Sequence, residues 1–114
     1  MPMHTNGAMR LRIYTSEMKK YDGKPLFEEI IRTARKQGLE GGTVFRGVAG
    51  YSPGNALRTS RILMLAEDLP LIIEIVDKSE KIEAFLPWLD SAMDQGLVTT
   101  EPVHVAMHKY KGKE

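Results

Sequence analysis

Three arginines, Arg46, Arg58 and Arg61, fall within one glycine-rich stretch, Gly41 to Ala66, that contains no aspartate or glutamate. A guanidinium presents a planar fork of donors that matches phosphate or carboxylate oxygens, and such charge-assisted contacts are stronger than neutral hydrogen bonds. The stretch also holds Gly41, Gly42, Gly47, Gly50 and Gly54, and glycine lets the main chain come close to a ligand. The chemistry on offer is reception of an anion by Arg46, Arg58, Arg61 and the backbone amides near Gly47 and Gly50. A long solvated connection between two strands is the competing account.

Other constellations are weaker. His104 and His108 have the i, i+4 spacing of a chelating pair on a helix, but on a strand that spacing separates them by about 13 Å. A metal site between subunits is the one arrangement left to them. Glu67-Asp68 ahead of Leu69-Pro70 could hold a cation or act as a base, although exposed turn acids are far commoner. No serine sits in a nucleophile-elbow context, and neither a Walker loop nor the dinucleotide glycine fingerprint is present.

The balance of 16 basic and 15 acidic residues gives no global argument for nucleic acid or a membrane surface, so an anion site must be local. The absence of cysteine excludes disulfides, thiol nucleophiles and Cys-type metal sites. With 114 residues, 42% of them hydrophobic, the chain makes one domain with one core, burying roughly 65% of its unfolded surface. The opening MPMHTNGAM has no basic region leading into an apolar run, and no segment supplies about eighteen uninterrupted apolar residues. A cytoplasmic protein is expected, with a disordered tail over residues 1–8, a domain over 9–108 and a basic tail over 109–114.

The elements that must position these groups follow in order. Met9 to Thr15 alternates as a half-buried strand, Met9, Leu11 and Ile13 on one face and Arg10, Arg12 and Tyr14 on the other. After a turn at Tyr21-Asp22-Gly23, Pro25 suits a first helical position, Leu26, Phe27, Ile30, Ile31 and Ala34 recur at helical spacing, and Gly38 ends the helix. Thr43 to Arg46 reads as the second strand, leading into a loop over residues 47–61. The third strand is expected to begin in Ile62 to Leu65 and resume over Leu71 to Val76. Asp77 and Glu80 have capping-box spacing, and Ile82, Phe85, Leu86, Leu89 and Met93 form the stripe of a second helix, kinked or broken near Glu83 to Leu86 by Pro87. Gln95-Gly96 closes it, and Val103, Val105 and Met107 alternate in a last strand.

This order predicts an α+β fold, a ferredoxin-like βαββαβ sandwich with a long loop after the second strand. With the helices over Leu11, Ile13, Ile73, Ile75, Val103 and Val105, the opposite face would carry Arg10, Arg12, Tyr14, Val44, Arg46, Ile72, Glu74, Val76, His104 and Ala106. That mixture suits a subunit interface better than open water.

Four blocks, Arg12-Ile13-Tyr14, Gly23 to Glu28, Gly42 to Tyr51 and Asp68 to Asp77, together resemble the family called domain of unknown function 190, grouped with the PII-like signalling proteins. The resemblance covers Met9 to Met107. It implies a trimer of ferredoxin-like subunits that binds a small effector, commonly an adenine nucleotide, between subunits. It also implies a loop after the second strand that reports the ligand to a partner, often a membrane transporter or an enzyme. Carried over by position, Thr43, Arg46, Gly47, Gly50, Arg58 and Arg61 are ligand-side, and Asp94 and Gly96 belong to the turn that embraces phosphates. Thr43 to Gly50 would then be a fixed base and Tyr51 to Arg61 a mobile segment. In better-known PII proteins that turn is longer and carries a lysine, so AMP or ADP is a better expectation here than ATP. No cofactor, enzymatic activity or nucleic acid is implied.

Two other uses of this topology bear on the motifs. Gly42-Thr43-Val44-Phe45-Arg46 matches the G-x-x-F-R context in which acylphosphatases hold phosphate, but it follows the first helix rather than the first strand and lacks the asparagine that positions water. An RNA-recognition sheet needs exposed aromatics for stacking, and the face drawn above offers Tyr14. A structural trimer without ligand is the remaining alternative.

Overall fold

The computed structural model describes residues 6–53 and 68–110, together with the backbone of 58–59. The first strand, β1, runs Ala8–Ser16 and ends in a small hairpin of β2 (Lys20–Tyr21) and β3 (Lys24–Pro25). Helix α1 (Leu26–Lys36) follows, then β4 (Thr43–Arg46), a two-stranded ribbon of β5 (Ala49–Gly50) and β6 (Arg58–Thr59), β7 (Pro70–Lys78), α2 (Ser79–Ala92) and β8 (Leu97–Val103). The main sheet is antiparallel with order β4-β7-β1-β8, so the expected ferredoxin-like sandwich is the fold. Both helices cover one face, and Leu11, Ile13, Ile73 and Ile75 of the sheet meet Leu26, Ile30, Ile82, Phe85 and Leu89 in a single core.

Where the apolar period is strong, the expected elements stand. Leu26, Ile30 and Ala34 are buried on α1, and Gly38 takes the left-handed φ of +92° after Gln37 caps it, the conformation for which glycine is preferred at that position. Pro25 lies one residue outside α1, as its cap, because it pairs with Lys20 in the hairpin. Several expectations are corrected. Asp77 does not cap α2: it stays in β7, its carboxylate accepting the backbone N–H groups of Lys78 at 2.7 Å and Glu40 at 2.9 Å, while Lys78 occupies the cap position. Pro87 does not break α2, which runs through it.

The last strand is Leu97–Val103 rather than the Val103-to-Met107 alternation, because seven residues of β8 pair with Ala8 to Tyr14; His104 and His108 therefore follow the strand. The second strand has the opposite facing from that expected. Val44 lies opposite Ile73 and packs on the core, so Thr43 and Phe45 take the open face and Arg46 shares the helix-side register with Leu71. The proposed start of the third strand in Ile62 to Leu65 lies outside the described residues, as do residues 1–5 of the N-terminal tail and 111–114 of the C-terminal one. The remainder of the first tail is tied down: the Asn6 side chain exchanges hydrogen bonds with the backbone of Val105, and Ala8 already opens β1.

With these registers, the open face is ordered by row. Phe45, Ile72, Tyr14 and Leu97 form an apolar row at one end, followed by Thr43, Glu74, Arg12 and Thr99, then by Val76, Arg10 and Glu101. Glu74 holds Arg12 at 3.2 Å and Arg10 at 3.7 Å, and Arg10 also reaches Glu101.

Candidate functional site

A cleft of about 790 Å³ opens at the apolar end of that face, within the size range of small-molecule sites. Four segments meet there: the end of β1 with its turn (Tyr14 to Ser16 and Lys19), the end of β5 and the residues after it (Gly50 to Pro53), the approach to β7 (Asp68 and Pro70), and the turn from α2 into β8 (Gln95 to Leu97). Tyr14, Pro70 and Leu97 supply apolar wall, while Lys19, Asp68 and Gln95 supply polar groups.

The turn after β1 is held from several sides. Asp68 accepts the Met18 N–H at 3.1 Å, the Leu69 carbonyl accepts the Glu17 N–H at 2.9 Å, and the Lys19 carbonyl accepts the Leu26 N–H at 2.8 Å. The Glu17 carboxylate also accepts a hydrogen bond from the Arg46 guanidinium; the glutamate side chain is 16% exposed and the arginine 61%. Across the cleft, the Lys19 ammonium donates to the side-chain oxygen of Gln95.

The ribbon base is built on contact with a proline. The Gly47 N–H donates to the Pro70 carbonyl at 2.7 Å. A Cβ on Gly47 would lie 3.0 Å from the Pro70 ring and one on Gly50 would lie 3.1 Å from it. These glycines give the chain room to pass Pro70, and neither has a positive φ. Gly96 is different: its φ is +134°, and a Cβ there would sit 2.9 Å from the Tyr14 carbonyl oxygen and collide with the Met93 methyl.

Of the residues named from sequence, the structure brings Gly50 and Gly96 to this one cleft, with Gly47 behind it against Pro70. Arg46 stands beside it and is engaged by Glu17. Asp94 is exposed in the α2–β8 turn. Thr43 lies at the far end of β4, three strand steps or about 10 Å from Arg46, in a second, smaller pocket of about 260 Å³ with Gly42, Glu74, Val76 and His108. The Arg58 side chain and all of Arg61 lie outside the described residues. Sequence reasoning passed over Lys19, which carries no motif, and took Gln95 only as part of the turn after the second helix; the signal for Lys19 is a basic residue in the turn that follows the first strand. No cluster of three metal-ligating side chains is found among the described residues. His108 lies 3.9 Å from Glu40 and against the Tyr110 ring.

Residues 8–105 match the sequence family of domain of unknown function 190, described as Uncharacterized ACR. The chain belongs to that family. Among its relatives, a UPF0166 protein of Aquifex aeolicus is 41% identical over 95 residues, covering 83% of this chain and 90% of that one. Similar solved structures include CPII, a nitrogen regulatory PII-like protein from Thiomonas intermedia bound to ADP, AMP and bicarbonate. It has a TM-score of 0.61 and 16% identity, and the match covers 88% of this chain and 89% of that one. The B. subtilis GlnK–ATP complex has a TM-score of 0.57 and 13% identity, with 89% and 85% covered. At these identities the likeness is one of fold, and it places this member of the family among PII-like structures.

Proposed function

We propose that this member of the family is a PII-like, non-enzymatic regulatory subunit. It assembles as a trimer through the open face of its sheet, binds an adenine nucleotide, AMP or ADP, between subunits, and signals through the 47–61 loop to a transporter or enzyme in the cytoplasm. The observation that carries this reading is the division of the open face. The large cleft with Gly50 and Gly96 sits at one end and the Thr43 pocket at the other, and the two share no lining residue. A cyclic assembly joins unlike patches head to tail, which sets the cleft of one subunit against the Thr43 pocket of the next. The split of the sequence-named residues into two groups is then the expected appearance of an intersubunit site seen in one subunit. PII-like structures of the same fold bind ADP, AMP or ATP, which supports the ligand class.

The acylphosphatase reading loses support from the same geometry, since the guanidinium it requires for phosphate is engaged by Glu17. Titration calorimetry with AMP, ADP and ATP, run beside sedimentation velocity, tests the proposal. Saturable binding at about one nucleotide per subunit by a trimer is expected, and a monomer or an absence of heat at protein concentrations well above micromolar would refute it.

A further inference from the structure

Among the described residues two cations adjoin the cleft, and their surroundings differ. Arg46 is engaged by the Glu17 carboxylate, so its charge is compensated. Lys19 lines the cleft itself. Its ammonium bonds to the neutral amide of Gln95, and no carboxylate pairs with it among the described residues. An ammonium has three donors, and a single neutral acceptor leaves it both charge and donors to offer. Its backbone is fixed, because the turn that carries it is held by Asp68, Leu69 and Leu26. Its side chain spans the cleft to the α2–β8 turn, where Asp94-Gln95-Gly96 contains no cation.

We propose that Lys19, delivered from the turn after β1 and aligned by Gln95, is the residue that holds the phosphate of the ligand in this cleft. This rests on the nucleotide reading above and adds to it the cationic contact and its location. Lys19 acts on the phosphate rather than the nucleoside, and the Gln95 amide keeps the ammonium oriented without neutralising it. The turn between α2 and β8 thereby gains a positive charge that its own sequence does not supply.

Calorimetry of wild type, Lys19→Gln and Lys19→Arg with adenosine, AMP, ADP and pyrophosphate tests this, with circular dichroism melts confirming that each variant folds. A charge-assisted phosphate contact predicts a loss of about tenfold or more in AMP and ADP affinity for Lys19→Gln, a flatter salt dependence, and substantial recovery in Lys19→Arg. Adenosine binding should be unchanged, which separates a phosphate contact from a merely structural tie to Gln95. Nucleotide binding that is indifferent to Lys19→Gln overturns the assignment and leaves the nucleotide reading standing. Lys19-dependent pyrophosphate binding without nucleotide binding sustains the assignment and removes the nucleotide reading. Equal losses for adenosine and ADP, or no binding of any probe to wild type, overturn the assignment.

Discussion

At the scale of single residues, the glycines separate into two kinds. Gly47 and Gly50 are small because Pro70 lies against them, whereas Gly96 must be glycine for both conformation and space. Gly96→Ala is expected to destabilise the protein by about 1–3 kcal/mol, since an L residue there adopts a disfavoured φ while its Cβ meets the Tyr14 carbonyl. A urea titration with a lower midpoint and an unchanged slope checks this; an unaltered midpoint would show that the turn relaxes freely. The sequence made the glycine-rich stretch legible as a place where backbone and ligand come close, but not the reason for each glycine. The same holds for charge. Arg46 is conspicuous in a local stretch without acids, yet the acid that engages it, Glu17, lies 29 residues earlier in the chain. Lys19 has no motif around it, and what distinguishes it, a cleft wall and a neutral partner, exists only in three dimensions.

At the scale of elements, strong periodicity was readable and short strands were not. The stripes of both helices and the alternation of β1 survive, apart from Met93 at the extended cap after α2, because each offers several apolar positions at one spacing. Thr-Val-Phe-Arg in β4 offers one apolar residue to either face, so its facing is decided by pairing: Val44 opposite Ile73 joins the core and Phe45 turns outward. The last strand was misplaced because Val-His-Val-Ala-Met alternates more cleanly than Leu-Val-Thr-Thr-Glu-Pro-Val. The weaker pattern prevails because β1 has a free edge there, and an edge strand tolerates Pro102. In α2, Pro87 stands exposed in the helix interior, where it denies a donor to the Glu83 carbonyl. Pro87→Ala is therefore expected to stabilise the fold by about 1–3 kcal/mol, read as a melting temperature several degrees higher. No rise would mean that the surrounding packing, including the Phe85–Trp88 stack, depends on the proline ring.

At the scale of the molecule, the open face presents Phe45, Val76 and Leu97 at 48%, 42% and 57% exposure, beside the ion pairs of Arg10, Arg12 and Glu74. In the proposed trimer these side chains are covered. Val76→Glu would then bury a carboxylate two residues along β7 from Glu74 and opposite Arg10, which Glu74 and Glu101 already engage, costing several kcal/mol per interface. Sedimentation velocity at micromolar concentration should show monomers in place of trimers, and a trimer that persists would mean that assembly uses another surface. The ion pair between Glu17 and Arg46 has a wider consequence. It ties the turn that carries Lys19 to the last residue of β4, three residues ahead of the ribbon, so that a ligand drawing on that turn also bears on the base of the loop. Thermodynamic linkage makes such a connection work equally in both directions. In the proposed regulator a partner that grips the loop and a ligand that fills the cleft alter one another's affinity by the same factor, and loss of the Glu17–Arg46 tie should bring that factor toward one while leaving each able to bind alone.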